Sequence, residues 1–249
     1  MIPKKVIVCD LDGTLAPSKS PISSDMAEVI GHVLERYYMA IVSGGSFVQF
    51  EKQFLSNLKV GPKTLKNLSL FPTNGSACYV YDEKNKVWSE LYEEKLSIPE
   101  RKKIISALNN AISEVGLDLS GSYGETIEDR GTQITFSGKG QNAPLSIKQT
   151  WDPEQTKRRK ILEILNKKIP EFDARIGGVS SIDITRKGLD KAYAIGKIKE
   201  LLKVDDEDII YVGDALYRGG NDETVKSTGV DFIQQFGPNH TIEFLSRYM

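Results

Sequence analysis

Short apolar runs, each cut off sharply by charge or glycine, alternate along this chain with stretches whose apolar residues recur at helical spacing. The first run is Val6-Ile7-Val8-Cys9, and it stops at Asp10-Leu11-Asp12-Gly13-Thr14-Leu15. Four apolar residues in succession predict a strand covered on both faces, as in a parallel sheet. Ser23 or Ser24 then caps a predicted helix to about Tyr38, with Met26, Val29, Ile30, Val33 and Leu34 on its inner face. Met39-Ala40-Ile41-Val42 is a second buried run, ended by Ser43-Gly44-Gly45-Ser46. Strand, helix and strand in that order make a right-handed crossover between parallel neighbours, so Ser43 falls at the same carboxyl edge as Asp10. A helix over 47–58 and a strand over 68–71 follow, the strand closed by Thr73-Asn74-Gly75.

From Ala77 the pattern changes. Tyr79-Val80-Tyr81 and Val87-Trp88 flank a polar tip at 82–86 and predict a hairpin. Pro99 opens a helix to Val115, residues 132–136 alternate like a half-exposed strand, and Pro153 starts a helix reaching Lys168. Segments 172–176 and 181–185 read as strands, and Asp190 to Leu202 returns to helical spacing. Ile209-Ile210-Tyr211-Val212-Gly213-Asp214 then repeats the buried run that ends in an aspartate. A glycine-rich loop, a helix near Glu223, a strand over 230–233 and a short helix close the chain. The expected architecture is α/β: a Rossmann-like parallel-sheet core over residues 1–77 and 186–249, with an inserted α+β cap domain over 78–185.

Composition narrows the function classes. The 249 residues carry a formal net charge of −1, so no global field draws the chain to nucleic acid or to an anionic membrane. No apolar run approaches the roughly 18 residues that cross a bilayer, and no signal-peptide core opens the sequence. Two cysteines, Cys9 and Cys78, make no disulfide framework and fit a reducing, cytoplasmic setting. With only His32 and His240 and no Gly-x-Ser-x-Gly elbow, histidine-based hydrolysis and zinc chemistry are disfavoured. Lys157-Arg158-Arg159-Lys160 reads as a solvated helix face rather than a nucleic-acid patch. Gly138-Lys139-Gly140-Gln141-Asn142-Ala143 matches a loose dinucleotide fingerprint, discarded because Pro144 follows and no helix is expected there.

Chemistry therefore falls to carboxylates and lysines. At about 4 Å and an effective dielectric near 20, two like charges repel by roughly 4 kcal/mol, so Asp10 and Asp12 call for a cation between them. A hard divalent ion with oxygen ligands, magnesium first, is the simplest one. Gly13 lets the backbone turn sharply beside the carboxylates. The bland alternative is an ordinary turn, in which Asp and Gly are favoured for local reasons. What displaces it is the convergence of Asp10, Asp12, Ser43, Lys191, Asp214 and Asn221-Asp222 on one sheet edge. The reading is a metal-assisted phosphoryl-transfer site.

Asp10-Leu11-Asp12-Gly13-Thr14, Ser43-Gly44-Gly45, Lys191 and Gly213-Asp214, in that order, resemble the motifs of the haloacid dehalogenase superfamily. The intervening insertion resembles the α/β cap of its type-II members. The resemblance implies that Asp10 attacks phosphorus and that Asp12 acts as acid and base. It implies that Ser43 and Lys191 grip phosphate, with Gly44 and Gly45 beside them. Magnesium would be held by Asp10, Asp12 (through its backbone carbonyl) and Asp214, with Asp222 among or just behind the groups that support those ligands. A closer likeness is to the phosphomannomutases. It is carried by Gly177-Gly178-Val179-Ser180-Ser181-Ile182-Asp183, Gly188-Leu189-Asp190-Lys191, Gly219-Gly220-Asn221-Asp222 and Arg130-Gly131-Thr132-Gln133-Ile134-Thr135-Phe136. It makes Arg130, Ser181 and Asp183 substrate contacts, a sugar phosphate or similar small phosphomonoester the partner, and a homodimer through the cap the implied assembly. Where those mutases place another arginine this chain has Ser137, with Lys139 and Lys148 the available stand-ins. A phosphatase of sugar phosphates is accordingly ranked above a mutase, and a non-catalytic binding module last.

Overall fold

The computed structural model describes residues 4–249. Two compact units emerge: one takes the chain up to Glu93 together with Leu189–Met249, the other Glu94–Gly188.

The first unit opens with β1 (Val6–Asp10), α1 (Ser24–Leu34), β2 (Tyr38–Val42), α2 (Phe47–Phe50), α3 (Pro62–Leu65), β3 (Leu68–Phe71), β4 (Ala77–Asp82) and β5 (Val87–Glu93). Ser23 caps α1, its hydroxyl accepting from the Met26 amide at 3.2 Å. The helix foreseen over 47–58 is instead α2 followed by a π-helical turn over Glu51–Leu55. That wider turn keeps Phe50, Gln53 and Phe54 inward and leaves the Gln53 carbonyl to accept from Ile22 at 2.8 Å.

The second unit carries α4 (Ile98–Val115), β6 (Ile127–Asp129), β7 (Ile134–Ser137), α5 (Leu145–Trp151), α6 (Thr156–Lys168), β8 (Phe172–Gly177) and β9 (Ser181–Arg186). Its antiparallel sheet has the order β6-β7-β9-β8. One face, with Ile134, Phe136, Ile182 and Ile184, packs on Ile104 and Leu108 of α4 and Ile161 and Leu165 of α6. The expected half-exposed strand is buried along its whole length, because its polar residues bond each other and β9 instead of water.

The remaining differences in this unit have local causes. α5 was not foreseen, and α6 begins at Thr156 rather than Pro153. The Asp152 carboxylate accepts from the Lys157 amide at 3.0 Å and from the Arg158 amide at 3.1 Å, fixing that start. Arg158 does not belong to a solvated face. It is 2% exposed and donates to the Asp152 carboxylate, the Asp152 carbonyl and the Gly178 carbonyl. A helix does open after Pro144, contrary to the reason for discarding the dinucleotide fingerprint. The fingerprint fails on other grounds: β7 is antiparallel to its neighbours, and a Cβ at Gly138 would run into the Trp151 ring.

The chain returns through α7 (Lys191–Leu202), β10 (Ile209–Gly213), β11 (Asp231–Gln234) and α8 (Pro238–Leu245). The predicted helix near Glu223 is a short 3-10 turn. The first unit's sheet runs β11-β10-β1-β2-β3-β4-β5, parallel from β11 through β3. Along β1 the side chains divide: Ile7 and Cys9 pack towards α1 and α8, Val6 and Val8 towards α7. This double cover is what the unbroken apolar run encoded. The hairpin of β4 and β5 pairs antiparallel with β3 in this same sheet, with Tyr79 stacked on Phe47 at 4.0 Å. The boundary expected at residue 77 is thus corrected to the end of the hairpin. Alternation identifies an antiparallel strand, but not the sheet it joins. Among the described residues no helix is long and apolar enough to cross a membrane.

Candidate active site

Asp10 closes the central strand β1 and is 2% exposed. Lys191 opens α7, where Asp190 caps the helix by accepting from Ala192 and Tyr193. Burial of so long a cation is tolerable only with partners. Its ammonium donates to Asp10 Oδ1 at 2.5 Å and to Asp222 Oδ1. Asp222 is further held by the Tyr211 hydroxyl at 2.7 Å and the Ala215 amide at 2.9 Å. Asp214 accepts from Thr14 Oγ1 at 3.3 Å.

Carboxylate oxygens of Asp10, Asp214 and Asp222 lie within 4.8 Å of one another. Three carboxylates thus face a single ammonium, leaving the cluster short of positive charge. Burial lifts the Asp10 carboxyl to about 8 against the pull of Lys191, with Asp222 and Asp214 adding to the rise. Burial and Asp222 also raise Asp214. Burial works against ionised Asp222 too, but Lys191, Tyr211 and the Ala215 amide outweigh it and hold that carboxyl low. Desolvation alone would lower Lys191; Asp10 and Asp222 outweigh it and keep the ammonium charged. Asp10 Oδ2 is buried without a hydrogen-bond partner. An orphaned carboxylate oxygen inside an electron-rich oxygen cluster suits a hard divalent cation. The residues present fit magnesium.

Two glycines shape this cradle. A Cβ at Gly13, where φ is +93°, would lie 2.5 Å from Asp214 Oδ2. A Cβ at Gly213 would strike the Asp222 carboxylate. Neither carboxylate can keep its place beside a larger residue.

The other expected residues divide. The Asp12 carboxylate is not among the three converging groups; its Oδ1 accepts from the Lys19 amide at 2.6 Å. Ser43 is buried just past the strand position paired with Asp10, and its Oγ accepts from the Gly45 amide at 3.1 Å. Gly44 lies between them, and the Gly45 carbonyl accepts from Thr73 at 2.9 Å. Arg130, Ser181 and Asp183 belong to the second unit. There Arg130 pairs with Glu128 at 2.7 Å, Ser181 donates to the Gly177 carbonyl, and Asp183 accepts from Thr135 at 2.8 Å. Lys148 is buried and donates to the Gln141 carbonyl at 2.6 Å, whereas Lys139 is half-buried. Tyr211 escaped the sequence reading. A hydroxyl within the apolar run 209–212 was the available signal, since a covered strand offers it no water.

A parallel sheet with a buried aspartate at the end of its central strand, ion-paired to a lysine from a later helix, defines an aspartate-centred α/β enzyme. The chain belongs to the haloacid dehalogenase-like hydrolase family, whose model matches residues 7–222. It is 26% identical over 226 residues to a phosphomannomutase of Schizosaccharomyces pombe, covering 88% of this chain and 84% of that protein. With a phosphomannomutase of Saccharomyces cerevisiae it shares 26% identity over 247 residues, 97% of this chain and 90% of the other. In fold it is similar to an N-terminally truncated IMP-nucleotidase of Plasmodium falciparum, with a TM-score of 0.75 and 18% identity, covering 99% of this chain and 70% of that one. A haloacid dehalogenase-like hydrolase of Bacteroides thetaiotaomicron matches with a TM-score of 0.65 and 16% identity, over 99% and 100% of the two chains. Identities this low make the last two likenesses evidence of fold.

Proposed function

We propose that this chain is a magnesium-dependent phosphoryl-transfer enzyme that takes the phosphoryl group of a sugar phosphate onto Asp10. The observation that carries the reading is the asymmetry of that carboxylate: Oδ1 is anchored on Lys191, while Oδ2 is buried and unpartnered. An oxygen of Asp10 attacks phosphorus and the bond to the sugar oxygen breaks, giving an aspartyl-phosphate. Asp12 hands a proton to the departing oxygen and later takes one from the incoming acceptor, whose oxygen bonds to phosphorus as the bond from Asp10 to phosphorus breaks, freeing the Asp10 carboxylate. Ser43 accepts from Gly45 and so keeps its own hydroxyl hydrogen for a phosphate oxygen, beside the fixed charge of Lys191. Asp10, Asp214 and the Asp12 carbonyl would hold magnesium, with Asp222 behind them through Lys191. When bound, the cation supplies charge that stabilises the transferring oxygens. Arg130, Ser181 and Asp183 are the proposed contacts to the sugar. Two buried free thiols, Cys9 and Cys78, support a reducing, cytoplasmic location.

The acceptor distinguishes two readings. Relatives named phosphomannomutases over most of the chain support a sugar hydroxyl, hence a mutase, ahead of the phosphatase that the sequence alone placed first. One observation keeps the phosphatase in view. In the second unit Arg175 pairs with Asp173 and Lys148 donates to the Gln141 carbonyl, so neither supplies the second phosphate clamp that a mutase needs beside Arg130. Incubation with magnesium, mannose 1-phosphate and a hexose bisphosphate activator decides between them. Appearance of the 6-phosphate establishes the mutase, and release of inorganic phosphate alone establishes the phosphatase. Equal turnover by wild type and Asp10→Asn would defeat both.

A further inference from the structure

We infer that Gln133 is a specificity residue, whose side-chain oxygen accepts a hydrogen bond from a hydroxyl of the sugar phosphate. The inference rests on the sugar-phosphate reading above and extends it to a residue that no motif singles out for this role. β7 pairs with β9 in the register Thr135↔Asp183 and Ser137↔Ser181. Gln133, Thr135 and Ser137 therefore share the sheet face of Ser181 and Asp183, opposite the apolar face of Ile134, Phe136, Ile182 and Ile184. Arg130 is tied into the same strand end, its amide donating to the Gln133 carbonyl at 2.8 Å.

Gln133 is fully buried, yet its Oε1 has no hydrogen-bond partner. A buried acceptor left unmade is costly, and native structures hold few of them. Nor can the amide relieve it by turning over. The Asp183 carboxylate only accepts, so the Thr135 hydroxyl must give its one hydrogen to Asp183 Oδ1 at 2.8 Å. Thr135 Oγ1 is then left to accept, and it does so from Gln133 Nε2 at 2.9 Å. The chain of bonds fixes Nε2 inward and commits Oε1 to whatever donor arrives from outside the network. A ligand hydroxyl is such a donor, and Asp183, at the other end of the chain, is already a proposed sugar contact. A site built this way discriminates strongly, because a ligand without the hydroxyl leaves the oxygen bare.

The test measures inhibition of 4-nitrophenyl phosphate turnover, with magnesium, by mannose 1-phosphate, mannose 6-phosphate, glucose 6-phosphate and inorganic phosphate. For wild type and Gln133→Leu the quantity read is the ratio of the best sugar phosphate's inhibition constant to that of inorganic phosphate. The expected result is a rise of about tenfold or more in this ratio, the size of one lost bond to a buried acceptor. A ratio within about twofold of wild type in both Gln133→Leu and the more flexible Gln133→Met would overturn the inference while leaving phosphoryl transfer intact. Inhibition of wild type by inorganic phosphate but by no sugar phosphate would overturn the sugar reading and this inference together.

Discussion

Replacing Gly13 with alanine puts a methyl carbon 2.5 Å from Asp214 Oδ2 and 2.8 Å from its Cγ. Carbon and oxygen do not approach so closely, so Asp214 must retreat by roughly an ångström, in an interior packed as densely as a crystal. Backbone at φ +93° adds strain for any residue with a Cβ, about 1–3 kcal/mol. Displacing one carboxylate of the proposed cation site should cost about 10–100-fold in metal affinity. Magnesium titration of Gly13→Ala, by calorimetry and by the magnesium dependence of 4-nitrophenyl phosphate turnover, should show that loss. Denaturant midpoints would report the strain separately. A double-mutant cycle makes the reasoning refutable: once Asp214→Ala has removed the obstructed side chain, Gly13→Ala should cost much less affinity. Full additivity, or an unchanged magnesium affinity in Gly13→Ala, would show that the glycine does not position Asp214.

The buried charges support three further predictions. Lys191→Met leaves Asp10 and Asp222 without their cation; in EDTA it should destabilise the fold by about 3–5 kcal/mol, with magnesium restoring part of the loss, as denaturant titrations would show. Arg158→Met should cost a comparable amount, about 3–5 kcal/mol, because Asp152 stays buried with two backbone amides but no countercharge. Burial disfavours ionised Asp152, but the Lys157 and Arg158 amides and the Arg158 guanidinium hold its carboxyl below the ordinary range. Its stabilising share is thus present above the unfolded value of about 3.9 and lost as pH falls through the lower folded value. Stability measured from pH 5 to pH 2 should therefore drop less steeply in Asp152→Asn than in wild type.

How far the sequence announced all this differs from residue to residue, for physical reasons. Val6–Cys9 and Ile209–Val212 were legible because a strand covered on both faces has no polar position to spare. Asp10 and Asp214 were legible because carboxylates at the ends of such strands need an explanation, and Asp222 because it closes a glycine-rich loop that resembles a known motif. The hairpin at 77–93 was assigned to the wrong unit because pairing partners are a tertiary choice. Arg158 looked like a surface cation and Lys148 like a stand-in for the missing arginine, since no local pattern shows that a carboxylate or carbonyl will meet them inside. The Asp12 side chain turns to the Lys19 amide, a loop conformation that composition does not encode. Gln133 was masked by the alternation around it, which ordinarily marks a face open to water.

The pairing of β1 with β10 has a consequence for biosynthesis. Val6 meets Ile209, and Asp10 meets Lys191 and Asp222, so β1 must wait for partners translated far later than itself. Until then β1 has Tyr38–Val42 on one flank and open amides and carbonyls on the other. Such non-local topology folds slowly and leaves a sticky ribbon edge during elongation. Ribosome-bound or truncated chains ending before residue 209 should therefore be the species that engage chaperones and aggregate, and the cluster of Asp10, Lys191 and Asp222 can assemble only once residue 222 has emerged.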